Sequence, residues 1–356
     1  MVTVAVSVLK SGERLIEEVR TSQGGVLMEK GKVLSARDLE VLKAFLIKYV
    51  AIDAKPEDGQ EAAEDVAASK FMSNDMALFY QAYEALYQIL KKAFRVVSAG
   101  SDQLPLLEMR THLEQLLSYV ELYNPLTFTA RRAGPDDYLI HNGIMVGLTS
   151  YLLARWHGMQ QRDWIPIALS GILHDIGTTR IDDAIVNKPS KLTASEFEDL
   201  KKHTIIGYNI LKNIPGINEG VKLSALQHHE RLDGSGYPLG VKGEKIHVYA
   251  KLIAVTDVFH AMTTSRQYKK ASSPYLVLEQ LRKDAFGKLE PVLVQTFIQK
   301  VTQFHNGTIV RLNDGTVAEI VFTDPNNPTR PMVSVNGQII NLAMDRERFI
   351  QEVISY

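Results

Sequence analysis

The stretch His228–Pro238 reads HHERLDGSGYP. Two adjacent imidazoles precede an acid and a base, and two glycines then lead into Tyr-Pro. Gly234 and Gly236 tolerate a positive φ, and Pro238 pushes Tyr237 towards extended backbone, so the string reads as a loop built beside the histidine pair. Without the imidazoles it would read as an ordinary surface turn. Glu230 and Arg231 read equally well as a solvated helix end.

The other histidines decide what the pair is for. Of ten in the chain, five fall between Asp137 and His229 in settings that suit a site: His141, His174, His203, His228 and His229. In WIPIALSGILHDIG, Ile165, Leu169, Ile172 and Leu173 predict a buried helix that ends at His174-Asp175. Buried polar groups need partners. A lone His-Asp pair is most simply a hydrogen-bonded core pair. Asp137 and His141 change that reading, because they lie four apart on a predicted helix and share a face. His203, in LKKHTIIGYNIL, sits on a third helix, and His228-His229 ends a fourth. Asp257, in AKLIAVTDVFHAM, lies on a fifth. Imidazole and carboxylate without sulfur suit Fe, Mn, Zn or Ni. Asp137, His141, His174, Asp175, His203, His228, His229 and Asp257 together exceed the four ligands one zinc prefers. Asp175 could bridge two ions about 3.5–4 Å apart, the arrangement used for phosphoester hydrolysis.

HD at His174-Asp175, KH at Lys202-His203, HHERLDGSGYP and the later Asp257 in AVTDVF resemble the HD-GYP family of HD-domain phosphohydrolases. The resemblance covers Asp136–Leu281, roughly 40% of the chain. It implies an all-helical catalytic domain holding two or three divalent metals, iron or manganese before zinc or nickel. It also implies hydrolysis of cyclic di-GMP, or a related cyclic dinucleotide, to pGpG or GMP in bacterial signalling. By position it implies His141, His174, Asp175, His203, His228, His229 and Asp257 as ligands, with Asp175 and His174 at the catalytic centre. Asp137 stands where three-metal members carry glutamate. Arg266 and Lys269 in SRQYKK match the family's phosphate-gripping residues, and Gly236 and Tyr237 match its signature loop. That loop is linked to substrate and to partners, diguanylate cyclases (GGDEF proteins) among them.

Two departures stand out. HDIGT carries Thr178 where the family has lysine, which removes a charge-assisted phosphate contact worth roughly 1.5–3 kcal/mol. DVFHAM carries His260 where an acid is usual. Alternatives are therefore a cyclic-dinucleotide receptor with little turnover, a module acting through its GYP loop, and an HD-type nucleotidase on mononucleotides.

Composition narrows the classes further. The 356 residues are 45% hydrophobic and 23% charged, with 40 basic against 41 acidic residues and a net charge of -1. That balance excludes a basic surface for long nucleic acid. Cysteine is absent, which excludes disulfides and thiolate metal sites. No signal peptide and no membrane span are expected, and the expected location is the cytoplasm.

The expected fold is mainly α, an HD-domain helical bundle with a β-rich N-terminal segment and a β-strand tail. The expected division is a β-rich regulatory segment over 1–54, an acidic alanine-rich linker over 55–73, a helical connector over 74–135, the catalytic domain over 136–305 and the β tail over 306–356. In the first segment, strands are expected over Val2–Leu9, Arg14–Arg20, Val26–Leu34 and Tyr49–Ile52, with a helix over Ala36–Ile47 capped by Ser35. Met76, Phe79, Tyr83, Leu86, Leu90, Phe94 and Val97 recur at helical spacing. Leu104–Tyr123 is expected as a second connector helix, and a homodimer through these helices is allowed for. In the tail, strands are expected over Thr308–Leu312, Thr316–Phe322, Met332–Val335 and Gln338–Leu342.

Overall fold

The computed structural model describes residues 2–6, 9, 12–20, 26–35, 38–39, 41–42, 47, 49–52, 61–128, 137–264, 271–303 and 307–355. They fall into two units, Met1–Met76 and Ala77–Tyr356.

The first unit holds two small antiparallel sheets. Strand β1 (Val2–Ala5) pairs with β4 (Tyr49–Ile52), and β2 (Val19–Arg20) pairs with β3 (Val26–Met28). Val6, Leu15, Val19, Met28, Leu34, Leu42, Val50 and Ile52 form its core. Tyr49–Ile52 keeps its expected bounds, and the earlier strands are shorter than expected because turns interrupt them. Of the expected helix Ala36–Ile47, part lies outside the described residues. Its start is capped reciprocally: the Asp38 N–H donates to Ser35 Oγ at 3.2 Å, and the Ser35 N–H donates to the Asp38 carboxylate at 3.0 Å.

The expected linker needs correction. Helix α1 runs over Glu61–Ser98, so most of 55–73 is helical. Its glutamates and alanines are strong helix formers, and they extend the apolar stripe's helix backwards in sequence.

In the second unit, α2 (Leu106–Leu117) and a short 3-10 turn (Val120–Leu122) stand where one longer helix was expected. Then come α3 (Tyr138–Trp156), α4 (Gln161–Leu173), a 3-10 turn (Ile176–Arg180), α5 (Asp183–Val186), α6 (Ala194–Lys201), α7 (His203–Lys212), α8 (Glu219–Gln227), α9 (Val248–Thr263), α10 (Pro274–Asp284) and α11 (Pro291–Val301). The tail is a five-stranded sheet, with β5 (Ile309–Leu312), β6 (Val317–Phe322), β7 (Met332–Val335), β8 (Gln338–Asn341) and β9 (Ile350–Ser355) in the order β8-β7-β6-β5-β9. β9 was not expected from the sequence. The sheet shares one core with the last helices: Val310, Ile320, Val333 and Ile350 cluster with Tyr275, Leu278, Leu281 and Phe297. No helix of the described residues is long and apolar enough to cross a membrane.

Helices α3 and α4 carry His141 and His174, and small residues let them approach closely. A Cβ built on Gly171 would lie 2.5 Å from both Cα and N of Gly147. Both neighbours are backbone atoms, so neither can swing away, and the two helices would have to part. We therefore expect Gly171→Ala to cost about 1–3 kcal/mol, the usual penalty for overpacking. Thermal unfolding should record a transition lowered by several degrees.

Candidate metal centre

The site is assembled from helix ends. His174 is the residue immediately after α4, His228 the residue immediately after α8, and His203 follows α6 across Lys202. The last carbonyls of a helix have no partner within it. Here they take imidazole protons. His174 Nδ1 lies 2.7 Å from the Gly171 carbonyl, His203 Nδ1 2.7 Å from that of Leu200, and His228 Nδ1 3.0 Å from that of Ser224. A carbonyl only accepts, so Nδ1 carries the proton in each ring. Each Nε2 is left to face the centre.

Asp175 stands between two sets of partners. Its Oδ1 is 3.3 Å from His203 Nε2 and 3.4 Å from His228 Nε2, and those two nitrogens are 3.4 Å apart. Its Oδ2 is 3.3 Å from His174 Nε2, which is also 3.4 Å from Asp257 Oδ1. Two ligands about 2.1 Å from a shared ion and tetrahedrally disposed lie about 3.4 Å apart. The spacing therefore suits cation ligands on both faces of the carboxylate. His229 joins the first set: ligand atoms of Asp175, His203, His228 and His229 all lie within 4.8 Å of one another. In the second set, His174 Nε2 is buried and makes no aligned hydrogen bond, although two carboxylates are close. His141 Nε2 is also buried without a partner. An orphaned buried nitrogen such as His174 Nε2, set between two carboxylates, is the chemistry of a cation site, and the residues of the cluster fit divalent ions.

His141 is positioned by α1. Its Nδ1 lies 2.8 Å from Tyr83 Oη, and its ring stacks on Tyr87 with centroids 4.7 Å apart. Asp137 directs its carboxylate to Lys91 Nζ at 2.8 Å. Burial pushes its pKa up, but the Lys91 and Tyr87 hydrogen bonds outweigh it and hold the pKa down. Asn142, which the sequence reading did not single out, donates to Asp257 Oδ1 at 3.3 Å. Tyr83 had been read only as core, since it belongs to the apolar stripe.

The glycine loop is tied down more firmly than its composition suggests. Glu230 is buried rather than solvated, and its carboxylate accepts the N–H groups of Leu239 at 2.7 Å and Val241 at 3.2 Å. Gly234 has φ +84°, as expected. Gly236 is required for a different reason: a Cβ there would meet the backbone of His229, Glu230 and Arg231. The Tyr237 ring lies against His229, centroids 4.7 Å apart. Thr178 lies in the 3-10 turn after Asp175 and donates its N–H to the Asp175 carbonyl at 2.9 Å. Arg266 and Lys269 lie outside the described residues. His260 is buried, 2.7 Å from Thr149 Oγ1, and burial lowers its pKa to about 3, so it is a neutral core histidine.

Burial opposes charge on His174, yet the carboxylates of Asp175 and Asp257 outweigh it and hold the imidazole pKa well above its ordinary value. The same pairing holds the Asp175 carboxyl well below the usual range against its own burial. Burial lowers the pKa values of His141, His228 and His229.

Residues 118–291 match the HD domain family. The chain is 32% identical over 214 residues to a cyclic di-GMP phosphodiesterase of Pseudomonas aeruginosa, covering 60% of this chain and 51% of that protein. It is 43% identical over 143 residues to the cyclic di-GMP phosphodiesterase response regulator RpfG of Xanthomonas campestris, covering 40% of this chain and 36% of the relative. It is 32% identical over 160 residues to 3'3'-cGAMP-specific phosphodiesterase 2 of Vibrio cholerae, covering 45% of this chain and 31% of the relative. The chain thus spans about half or less of the length of these relatives.

Two measurements follow. The carboxylates of Asp175 and Asp257 favour a proton on His174 Nε2 in the cation-free protein, and a cation would take that lone pair. Loading manganese should therefore release a proton below the raised His174 pKa and cease to do so above it. Calorimetry in buffers of different ionisation enthalpy reads this directly. Tyr83→Phe removes the group that fixes His141, and chelator competition should show cation affinity reduced about 10–100-fold.

Proposed function

We propose, for a chain whose residues 118–291 are an HD domain, that it hydrolyses the phosphodiester bonds of cyclic di-GMP or a related cyclic dinucleotide to pGpG or GMP with divalent metals. The observation that carries this reading is the Asp175 carboxylate, with His203 and His228 on one oxygen and His174 on the other. The activities of the three relatives on cyclic di-GMP and 3'3'-cGAMP support the substrate class.

Iron or manganese is the metal we expect from the resemblance to the HD-GYP phosphohydrolases, while the imidazole and carboxylate donor set suits zinc or nickel as well. When bound, two such cations supply a deprotonated water and offset charge developing on the phosphate. His203, His228, His229 and Asp175 would hold one. His141, His174, Asp175 and Asp257 would hold the other, with Asn142 fixing Asp257. Asp137, paired with Lys91, is the least available of the acids for a third. Tyr237 and Gly236 would wall the site, and Thr178 would offer a hydroxyl where a lysine could have paired with phosphate. Arg266 and Lys269 would grip the non-reacting phosphate. The GYP loop would be the contact for a diguanylate cyclase partner.

Thr178 favours a second reading, a receptor that binds the dinucleotide and rarely cleaves it. One experiment separates the readings. Protein loaded with manganese or ferrous iron is mixed with cyclic di-GMP, and products are resolved by chromatography. Release of pGpG or GMP is expected. Binding without release supports the receptor, and phosphate released from mononucleotides instead sinks both. Asp175→Asn should retain fewer cations per chain. Its turnover should fall by more than the 10–100-fold that loss of an outer-shell partner costs, about two orders of magnitude or beyond.

A further inference from the structure

Beside the cluster, α6 presents an aromatic ring and a cation whose partners lie in the glycine loop. Phe197 is 43% exposed and lies against the loop beside the cluster. Its ring meets Tyr237 edge-on, with centroids 6.2 Å apart and an interplanar angle of 78°. Lys201, one turn further along α6, holds its ammonium 4.8 Å from the Phe197 ring centroid and 5.5 Å from that of Tyr237. Tyr237 in turn lies on His229, so the three side chains continue directly from the cluster.

The platform is also braced. Thr193 and Glu196 form a reciprocal cap at the start of α6, and Lys188 Nζ sits 2.6 Å from Glu196 Oε1. These contacts fix the first turn of the helix that carries Phe197. Among the described residues the Lys201 ammonium is paired only with Glu198, at 2.7 Å, whose side chain is 68% exposed. A surface pair of that kind contributes about 0–1 kcal/mol, so the ammonium can turn to a ligand at little cost.

We propose that Phe197, Lys201 and Tyr237 form a guanine-binding subsite for the dinucleotide. This rests on the reading of the cluster as a cyclic-dinucleotide phosphodiesterase. The exposed Phe197 face stacks a purine, and an aromatic face accepts any base. Lys201 supplies the choice among purines. Guanine presents two adjacent acceptors, O6 and N7, which suit an ammonium. Adenine places an amino donor where O6 would be and repels it.

The test uses the metal-loaded full chain with cyclic di-GMP and cyclic di-AMP, and inorganic phosphate as an inhibitor without a base. Phe197→Leu is expected to raise KM for both dinucleotides about 10-fold and leave kcat and the phosphate inhibition constant unchanged. Phe197→Trp restores KM. Lys201→Met is expected to reduce the preference for cyclic di-GMP over cyclic di-AMP about 10-fold. An active wild type indifferent to both changes overturns the subsite alone. So does a parallel loss of phosphate inhibition, which marks general damage to the site. A wild type that holds its cations and cleaves no cyclic dinucleotide overturns the activity, and the subsite with it.

Discussion

The centre depends on one side chain that faces two ways. Asp175 Oδ1 points to His203 and His228, and Oδ2 points to His174. A carboxylate offers two oxygens and about four lone-pair sites, so one residue can serve two neighbours at once. Asparagine keeps the shape but turns one oxygen into a donor, which would present hydrogens to imidazole nitrogens that need a cation. Glutamate would move both oxygens outward by a methylene, in a wall formed by backbone and rings. The chain therefore has little freedom at this position, whatever happens elsewhere.

The histidines around it follow one device repeated three times. His174, His203 and His228 each sit at or just beyond a helix C-terminus, and each gives its Nδ1 proton to a carbonyl three or four residues back. This ties each ring to the last turn of its own helix and fixes ring and tautomer together. It also explains why helix packing matters so much to the site. A shift of α4, α6 or α8 moves an imidazole directly, because the ring is tied to that helix's own last turn. His141 lacks such a carbonyl, and α1 supplies Tyr83 and Tyr87 in its place.

Much of this was legible in the sequence, for identifiable reasons. The apolar residues Ile165, Leu169, Ile172 and Leu173 located α4, and the polar pair that ended the run pointed to the candidate site. The adjacency of His228 and His229 located the loop. Other features had no local signal. Glu230 lies in a run that reads as solvated, and only folding the loop back over it brings Leu239 and Val241 to its carboxylate. Tyr83 sits on an apolar stripe, where its hydroxyl is invisible to periodicity. Asn142 is polar but has no metal-ligating chemistry, so nothing marked it. β9 carries the short IQEVIS run, and its pairing with β5 is a long-range choice that local pattern does not encode. The start of α1, residues 61–73, read as part of a linker because it is acidic, although its glutamates and alanines favour helix.

Charge explains why the cluster is built to take cations. The half-buried carboxylate of Asp175 and the buried one of Asp257 both face His174 Nε2, an arrangement that is costly unless positive charge is near. In the described residues the carboxylates favour that charge on His174 and, through Asp175, on His203, although burial opposes both. An imidazolium is a poor substitute: it carries one charge, and its Nδ1 is already committed to Gly171. Two divalent cations would bring four charges, release the His174 proton and give the orphaned His141 Nε2 a partner. The same act would then complete the chemistry and relieve the electrostatic conflict, so cation binding and stability of this domain are one equilibrium rather than two.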